Sequence, residues 1–276
     1  MTVGITVLSP GQTFEDNMRP AELLIQVYRL LESNPSILNR DDLLPALRQV
    51  IGASEDEDLM LIYNELFLGL VRERAQMPRS TLRQATLCHL LRQAVVASCT
   101  ALETYLPALL TANLPVMIRV GGRGFVPRGD QTLEAYFGDL QFSLDETLRL
   151  LGDENAAQYI SGKILGLANF KYLSSRKGIH VVGVLLGLTA PKPWDAIAAH
   201  LNREKRELMN TLKDTVDRRN DIVHRADRCQ SDSGGDAQTI TYAWTQQAVD
   251  TIKHICLALD ELVAARVAEI QAMLGE

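Results

Sequence analysis

Arginine, asparagine and histidine lie close together in one segment of the last third of the chain. The segment is Asp214-Thr-Val-Asp-Arg-Arg-Asn-Asp-Ile-Val-His-Arg-Ala-Asp227. If it is helical, Asn220 and His224 share a face, and Arg219 lies about 100° from Asn220. An obligate cation, an amide and an imidazole would then project toward one groove. Histidine has a reference pKa of about 6.5, so His224 could move a proton while Arg219 binds a phosphate.

The predicted apolar stripe of the same helix makes Arg219 unusual. That stripe consists of Leu208, Leu212, Val216 and Val223. Arg219 falls on it, and an arginine buried beside valines costs free energy unless an anion or hydrogen-bond partners receive it. A structural explanation also stays open at this point, in which His224 caps the helix and the arginines pair with Asp217 and Asp221.

The elements around this segment are predicted to be helices. Aromatic residues make up 5% of the chain, which is low for a β-sandwich, and apolar residues recur at helical spacing. The predicted helices are three between residues 20 and 76 with Pro20 in the first turn, then 80–110, 133–150, 154–172, 194–201, 204–225 and 245–274. The fold class is therefore predicted to be all-α, with a loop at 114–130 that contains a short strand at 116–120.

Two of these helices have a predicted packing face. The long helix at 80–110 carries Leu87, Leu91, Ala94, Ser98, Ala101 and Tyr105 on one stripe. The last helix carries Val249, Ile252, Cys256, Leu259 and Val263 at steps of three and four residues. We expect both stripes to be buried against neighbouring helices.

Most catalytic and cofactor motifs are absent from the sequence. It contains no P-loop, no dinucleotide-binding glycine motif, no nucleophile elbow, no HExxH zinc motif and no EF-hand loop. The five histidines include no pair four residues apart, and the four cysteines include no CxxC spacing. We therefore expect no metal, no cofactor and reduced thiols.

The amino terminus has neither a basic start nor a long apolar core, so no secretory signal is predicted. The apolar run Ile179–Ala190 covers 12 residues, too few to span a bilayer. These features predict a soluble protein of the cytoplasm without a membrane segment.

Charge is unevenly distributed along the chain. The net charge of −6 argues against indiscriminate binding to nucleic acid. Two stretches nevertheless lack acidic residues, 105–129 with three arginines and 155–194 with five basic residues. If they meet in space they form a basic surface for a phosphate backbone, and the alternative is two solvated helix faces. Residues 1–78 carry an excess of acidic side chains, which suits contact with a protein better than with RNA.

The string Arg218-Arg219-Asn220-Asp-Ile-Val-His224-Arg225 resembles the active-site motif of HEPN ribonucleases, most closely the RiboL-PSP-HEPN branch. That family has an arginine, a polar residue, a few intervening positions and a histidine, and Arg219, Asn220 and His224 occupy these places. The spacing alone arises easily by chance. The longer string RRNDIVHRAD is more specific, as are ALETY at 101–105, LLGLTAPKPWDAI upstream and ITYAWTQQAVDTI at the start of the last helix. The resemblance covers residues 79–276.

The resemblance implies an architecture and partners. Residues 79–276 would form a HEPN-like helical bundle with a basic helical and loop insertion around 113–195. Residues 1–78 would be a three-helix extension for docking or regulation, with an antitoxin or another protein as the partner. Two chains would form a homodimer with a composite cleft for RNA.

The resemblance also implies a reaction and residue roles. The enzyme would be a metal-independent endoribonuclease, as expected of a toxin or antiviral-defence effector, that leaves 2′,3′-cyclic phosphate and 5′-hydroxyl ends. His224 would be the general base or acid, Arg219 would stabilise the phosphorane, and Asn220 would orient either group. The candidates for phosphate contacts are Arg218 and Arg225, and Glu103 would support the site from the long helix.

A different class of function is compatible with the same fold. The chain could be a catalytically silent helical module for protein partnering or nucleotide binding. A pure scaffold has no need of Arg219, Asn220 and His224 together, which favours the enzyme.

Overall fold

The computed structural model describes residues 8–32, 76, 84–121, 129–228 and 237–274. Every regular element in these ranges is helical, so the predicted all-α class is confirmed. The helices are α1 (Pro10–Leu31), α2 (Gln84–Gly121), α3 (Gln131–Phe137), α4 (Leu144–Leu150), α5 (Ala156–Leu165), α6 (Arg176–Leu185), α7 (Pro193–His200), α8 (Lys205–Arg225) and α9 (Tyr242–Leu274), with a 3₁₀ turn at Ala168–Lys171 between α5 and α6.

Helix α1 begins well before the predicted position. Ser9 and Gln12 form a capping box, in which each side chain accepts a hydrogen bond from the other residue's backbone amide, at 3.2 and 3.0 Å. Pro10 then occupies the first helical position, where its missing amide costs nothing. The prediction that Pro20 lies in the first turn is wrong, because Pro20 sits inside the helix. The other two helices predicted before residue 77 and the boundary after residue 78 lie outside the described residues.

Helix α2 is the central element of the core. It packs against α1, α9, α5 and α8, and all six residues of its predicted stripe are buried. The strand predicted at 116–120 is wrong, because α2 continues to Gly121. Leu110, Leu114 and Met117 keep the helical spacing of buried residues through this segment, which explains the continuation.

Helix α9 packs along α2 with its predicted seam of five residues fully buried. Phe14, Met18 and Ile25 of α1 join the same core cluster.

The helix predicted at 133–150 is divided into α3 and α4, and α5 with its following 3₁₀ turn occupies the segment predicted as 154–172. Helix α8 spans nearly the predicted residues, so the candidate motif lies on one continuous helix.

Helix α2 is a candidate membrane span by length and composition. By length and composition, Gln84–Val120 could cross a bilayer, although 56% of its most apolar window is buried inside the protein. The core helix of a soluble protein meets the same criteria, so the finding is weak evidence for a membrane span. The prediction of no membrane segment rested on the shorter apolar run Ile179–Ala190 and did not include this helix.

Candidate active site

The set of buried residues on α8 differs slightly from the predicted apolar stripe. Its buried residues are Leu208, Leu212, Thr215 and Ile222. Val223 is 51% exposed, so its predicted place on the buried stripe is wrong, and Val216 is only partly buried. Thr215 can replace an apolar residue because its hydroxyl donates to the carbonyl of Thr211 at 2.7 Å.

Arg219 lies at the edge of this core face and forms an ion pair with Glu103 of α2. The Arg219 side chain is only 17% exposed, and that of Glu103 is 40% exposed. The Ser174 hydroxyl also donates to Glu103 Oε1 at 3.2 Å. The structure thus places Glu103 beside Arg219, as the sequence analysis expected, and supplies the anionic partner that a partly buried arginine needs.

Cys99 lies one turn before Glu103 and beneath Arg219. Burial raises the pKa of the Cys99 thiol to about 11, and the charge of Arg219 and its hydrogen bond offset part of that effect. The thiol is therefore protonated at neutral pH and acts as packing for the guanidinium.

Asn220 and His224 are both exposed on the outer side of α8. Their spacing of four residues puts them on one face, as predicted. Arg219 and His224 are five residues apart, which corresponds to about 140° around the helix and about 7.5 Å along it. One chain therefore presents the imidazole to solvent and directs the guanidinium toward α2, so the two groups do not converge within a single α8.

Arg218, a predicted phosphate contact, has a side chain that is only 16% exposed. Its guanidinium pairs with Asp227, at 2.5 Å from Nε to Oδ1, and donates to the carbonyls of Gln238 and Thr239. Asp227 is fully buried and also accepts from Arg92 Nε at 2.6 Å. Arg218 thus faces inward and fixes the end of α8 to the segment before α9.

Arg225 has an exposed side chain that pairs with Asp221 one turn away on the same helix, at 2.9 Å. This is one of the pairs that the structural explanation of the motif required. The other acid it invoked, Asp217, pairs with Lys213 at 2.5 Å instead. Arg225 remains at the surface, where a phosphate could compete with the local carboxylate.

Sequence reasoning missed Asp227 and Arg92, which anchor the motif. Arg92 lies between the buried residues Leu91 and Val95 of α2, and an arginine on a buried helix face indicates a buried anionic partner. Asp227 ends the motif segment, and its position in the sequence alone indicates no role for it.

Within the described ranges, no group of three or more His, Cys, Asp or Glu side chains is arranged to hold a metal ion.

No protein-family model, curated protein or solved structure matches the chain. The family resemblance of the chain thus rests on the motif residues alone.

Proposed function

We propose that the chain is a metal-independent endoribonuclease of the HEPN type. The observation that carries the proposal is the arrangement on α8, where Arg219 is held by Glu103 and where Asn220 and His224 are open to solvent on the adjacent face. A partly buried arginine supplies fixed positive charge, and an exposed imidazole can reach a substrate.

In this reaction, the 2′-hydroxyl of one nucleotide loses its proton to a base, and its oxygen attacks the adjacent phosphorus. The bond from phosphorus to the 5′-oxygen breaks, and that oxygen takes up a proton. His224 serves as base or acid, which is worth about 10²- to 10⁴-fold in rate. Arg219 stabilises the negative charge of the phosphorane through its fork of donors, and Asn220 orients the imidazole or the phosphate.

A homodimer completes this site. Arg219 and His224 point about 140° apart on one helix, so the two groups meet only if a second chain brings its imidazole to the first chain's guanidinium. The exposed Val223, next to His224, suits such a helix-to-helix contact. We place the enzyme in the cytoplasm as a toxin or antiviral-defence effector, with residues 1–78 as the contact for an antitoxin or sensor.

One observation favours the second candidate, a catalytically silent module. Both arginines at the centre of the motif are engaged by carboxylates, Arg218 by Asp227 and Arg219 by Glu103. The motif could therefore serve only to join α8 to α2 and to the segment before α9, on a scaffold that binds a protein or a nucleotide.

The deciding experiment compares the wild type with Arg219→Ala/His224→Ala on total cellular RNA in the presence of EDTA, with mapping of the cleaved ends. His254→Ala is the matched control, because His254 is an exposed histidine on α9 away from the motif. We expect cleavage with cyclic-phosphate and 5′-hydroxyl ends by the wild type and the control only. Equal cleavage by all three proteins would refute the assignment of the residues, and silence from all three, with each protein folded, would favour the module.

A further inference from the structure

A cavity of about 230 Å³ lies between the start of α6 and the middle of α8. It is lined by Ser175, the N-cap residue of α6, and by Arg176, Lys177, Leu212, Lys213, Val216 and Asp217. We call it the α6–α8 groove. Its lining combines two apolar residues, three cations and one carboxylate, and apolar surface beside cations suits a molecule with a charged backbone and an apolar face.

The cations of the groove are only partly neutralised. Lys213 pairs with Asp217, but within the described ranges no carboxylate pairs with Arg176 or Lys177. Both belong to the acid-free stretch at 155–194, and the first turn of α6 has no acidic residue. Against these three cations stand Asp217 in the lining and the exposed Asp214 next to Lys213 on α8, so the groove keeps an excess of one positive charge.

The groove opens beside the candidate active site. Ser174, which immediately precedes the groove, donates to Glu103, and Glu103 pairs with Arg219. On α8, Val216 precedes Arg219 by three residues, or about 4.5 Å along the helix axis. A polyanion that reaches Arg219 can therefore continue directly into the groove.

We propose that the α6–α8 groove binds the sugar–phosphate backbone of single-stranded RNA next to the cleaved position. Arg176 and Lys177 contact phosphates, and a ribose or base packs on Leu212 and Val216. The proposal rests on the ribonuclease function proposed above. The small volume suits one nucleotide unit better than a complete small-molecule ligand, since such ligands occupy about 300–1,000 Å³.

The test measures the binding of a short fluorescent oligouridylate to the full chain by anisotropy, in a His224→Ala background that prevents cleavage. The variant Arg176→Gln/Lys177→Gln removes the two cations. The matched control Arg19→Gln/Arg149→Gln removes two exposed arginines of α1 and α4 that pair only within their own helices. We expect about tenfold weaker binding for the groove variant and little change for the control. The slope of log affinity against log salt should also fall by about 1.4, as for two lost phosphate contacts.

Several results would overturn the proposal. These are an unchanged affinity in the groove variant, an equal loss in both variants, no RNA binding by the parent protein, or tighter binding of polyglutamate than of oligouridylate, which would make the groove a site for an acidic peptide.

The proposal for the α6–α8 groove and the proposed nuclease activity can fail independently of each other. If the wild type does not cleave RNA but binding still depends on Arg176 and Lys177, RNA binding in the groove is supported and the nuclease proposal is refuted. If cleavage and binding both persist in the groove variant, the nuclease proposal is supported and RNA binding in the groove is refuted.

Discussion

Arg92 and Asp227 are 135 residues apart in sequence, yet their side chains meet at 2.6 Å in the interior of the protein. Both are almost fully buried, with side-chain exposures of 7% and 0%. Arg218 approaches the same carboxylate from α8, and both guanidiniums also donate to the carbonyl of Gln238. One buried carboxylate therefore joins α2, the end of α8 and the segment before α9.

This network predicts a large stability cost for Asp227→Asn. The backbone of Asp227 has a φ of +64°, a conformation that asparagine tolerates well, so the substitution removes the charge without adding backbone strain. The buried guanidinium of Arg92 and the partly buried one of Arg218 would then lose their anion, and breaking a buried ion pair costs about 3–5 kcal/mol of unfolding free energy. Urea denaturation followed by circular dichroism measures the change.

The matched control is Asp221→Asn, which removes the exposed partner of Arg225 on the same helix. An exposed pair of this kind contributes about 0–1 kcal/mol. Equal effects of the two substitutions would contradict the network's role.

The helices with regular apolar spacing were the predictable part of the fold. The stripes of α2 and α9 follow directly from their sequence, and both are buried as expected. The start of α1 was missed because Pro20 resembles a first-turn proline, whereas the signal that sets the start is the reciprocal capping of Ser9 and Gln12.

The candidate site could be predicted only where its residues are neighbours along one helix. Asn220 and His224 share a face of α8 by helical spacing alone. The buried face of the helix was displaced toward Ile222, because tertiary packing rather than hydrophobicity decides between adjacent residues. Asp227 and its partner Arg92 come from distant segments, and no local pattern shows that the fold brings them together.

Substitution by alanine should have opposite effects on stability at Gly178 and at Gly162. A Cβ atom at Gly178, in the first turn of α6, would lie 2.0 Å from the carbonyl oxygen of Leu173. Gly178→Ala should therefore destabilise the protein by about 1–3 kcal/mol and distort the start of the α6–α8 groove. At Gly162, inside α5, a Cβ atom would meet nothing within 4 Å. Gly162→Ala should stabilise the protein by about 0.5–1 kcal/mol. Thermal melting of both variants tests the two predictions separately. A Gly178→Ala protein as stable as the wild type would contradict the first, and a destabilised Gly162→Ala protein would contradict the second.

The ionised side chain of Glu146 should contribute to stability in a pH-dependent way. The hydrogen bond from Lys163 lowers the pKa of Glu146 to about 2, with help from the Tyr159 hydroxyl and the backbone amide of Ser143. A carboxyl whose pKa is lower in the folded state stabilises the protein above its unfolded pKa of 4.5, and this stabilisation disappears as the pH falls from 4.5 through about 2.

The melting temperature of Glu146→Gln should accordingly lie below that of the wild type at pH 7, and the two should converge toward pH 2. Lys163→Gln, which removes the partner, should show the same convergence. A difference that stays constant over this range would mean that Glu146 acts through packing and not through its charge.

Variants of the ion pair between Glu103 and Arg219 separate the structural role of the motif from its proposed catalytic role. Arg219→Lys keeps the positive charge next to Glu103 but loses the planar fork that can bind two phosphate oxygens. RNA cleavage should fall at least tenfold, mainly in kcat, while the unfolding free energy changes by less than about 1 kcal/mol, because both partners are partly exposed. Glu103→Gln keeps an acceptor for the Ser174 hydroxyl but releases the guanidinium, so cleavage should fall less than in Arg219→Lys. If Arg219→Lys cleaved RNA as well as the wild type, a point charge would be sufficient and Arg219 would not stabilise the phosphorane in the manner proposed. If it unfolded the protein, the ion pair would be structural, and the silent module would become the better explanation of the motif.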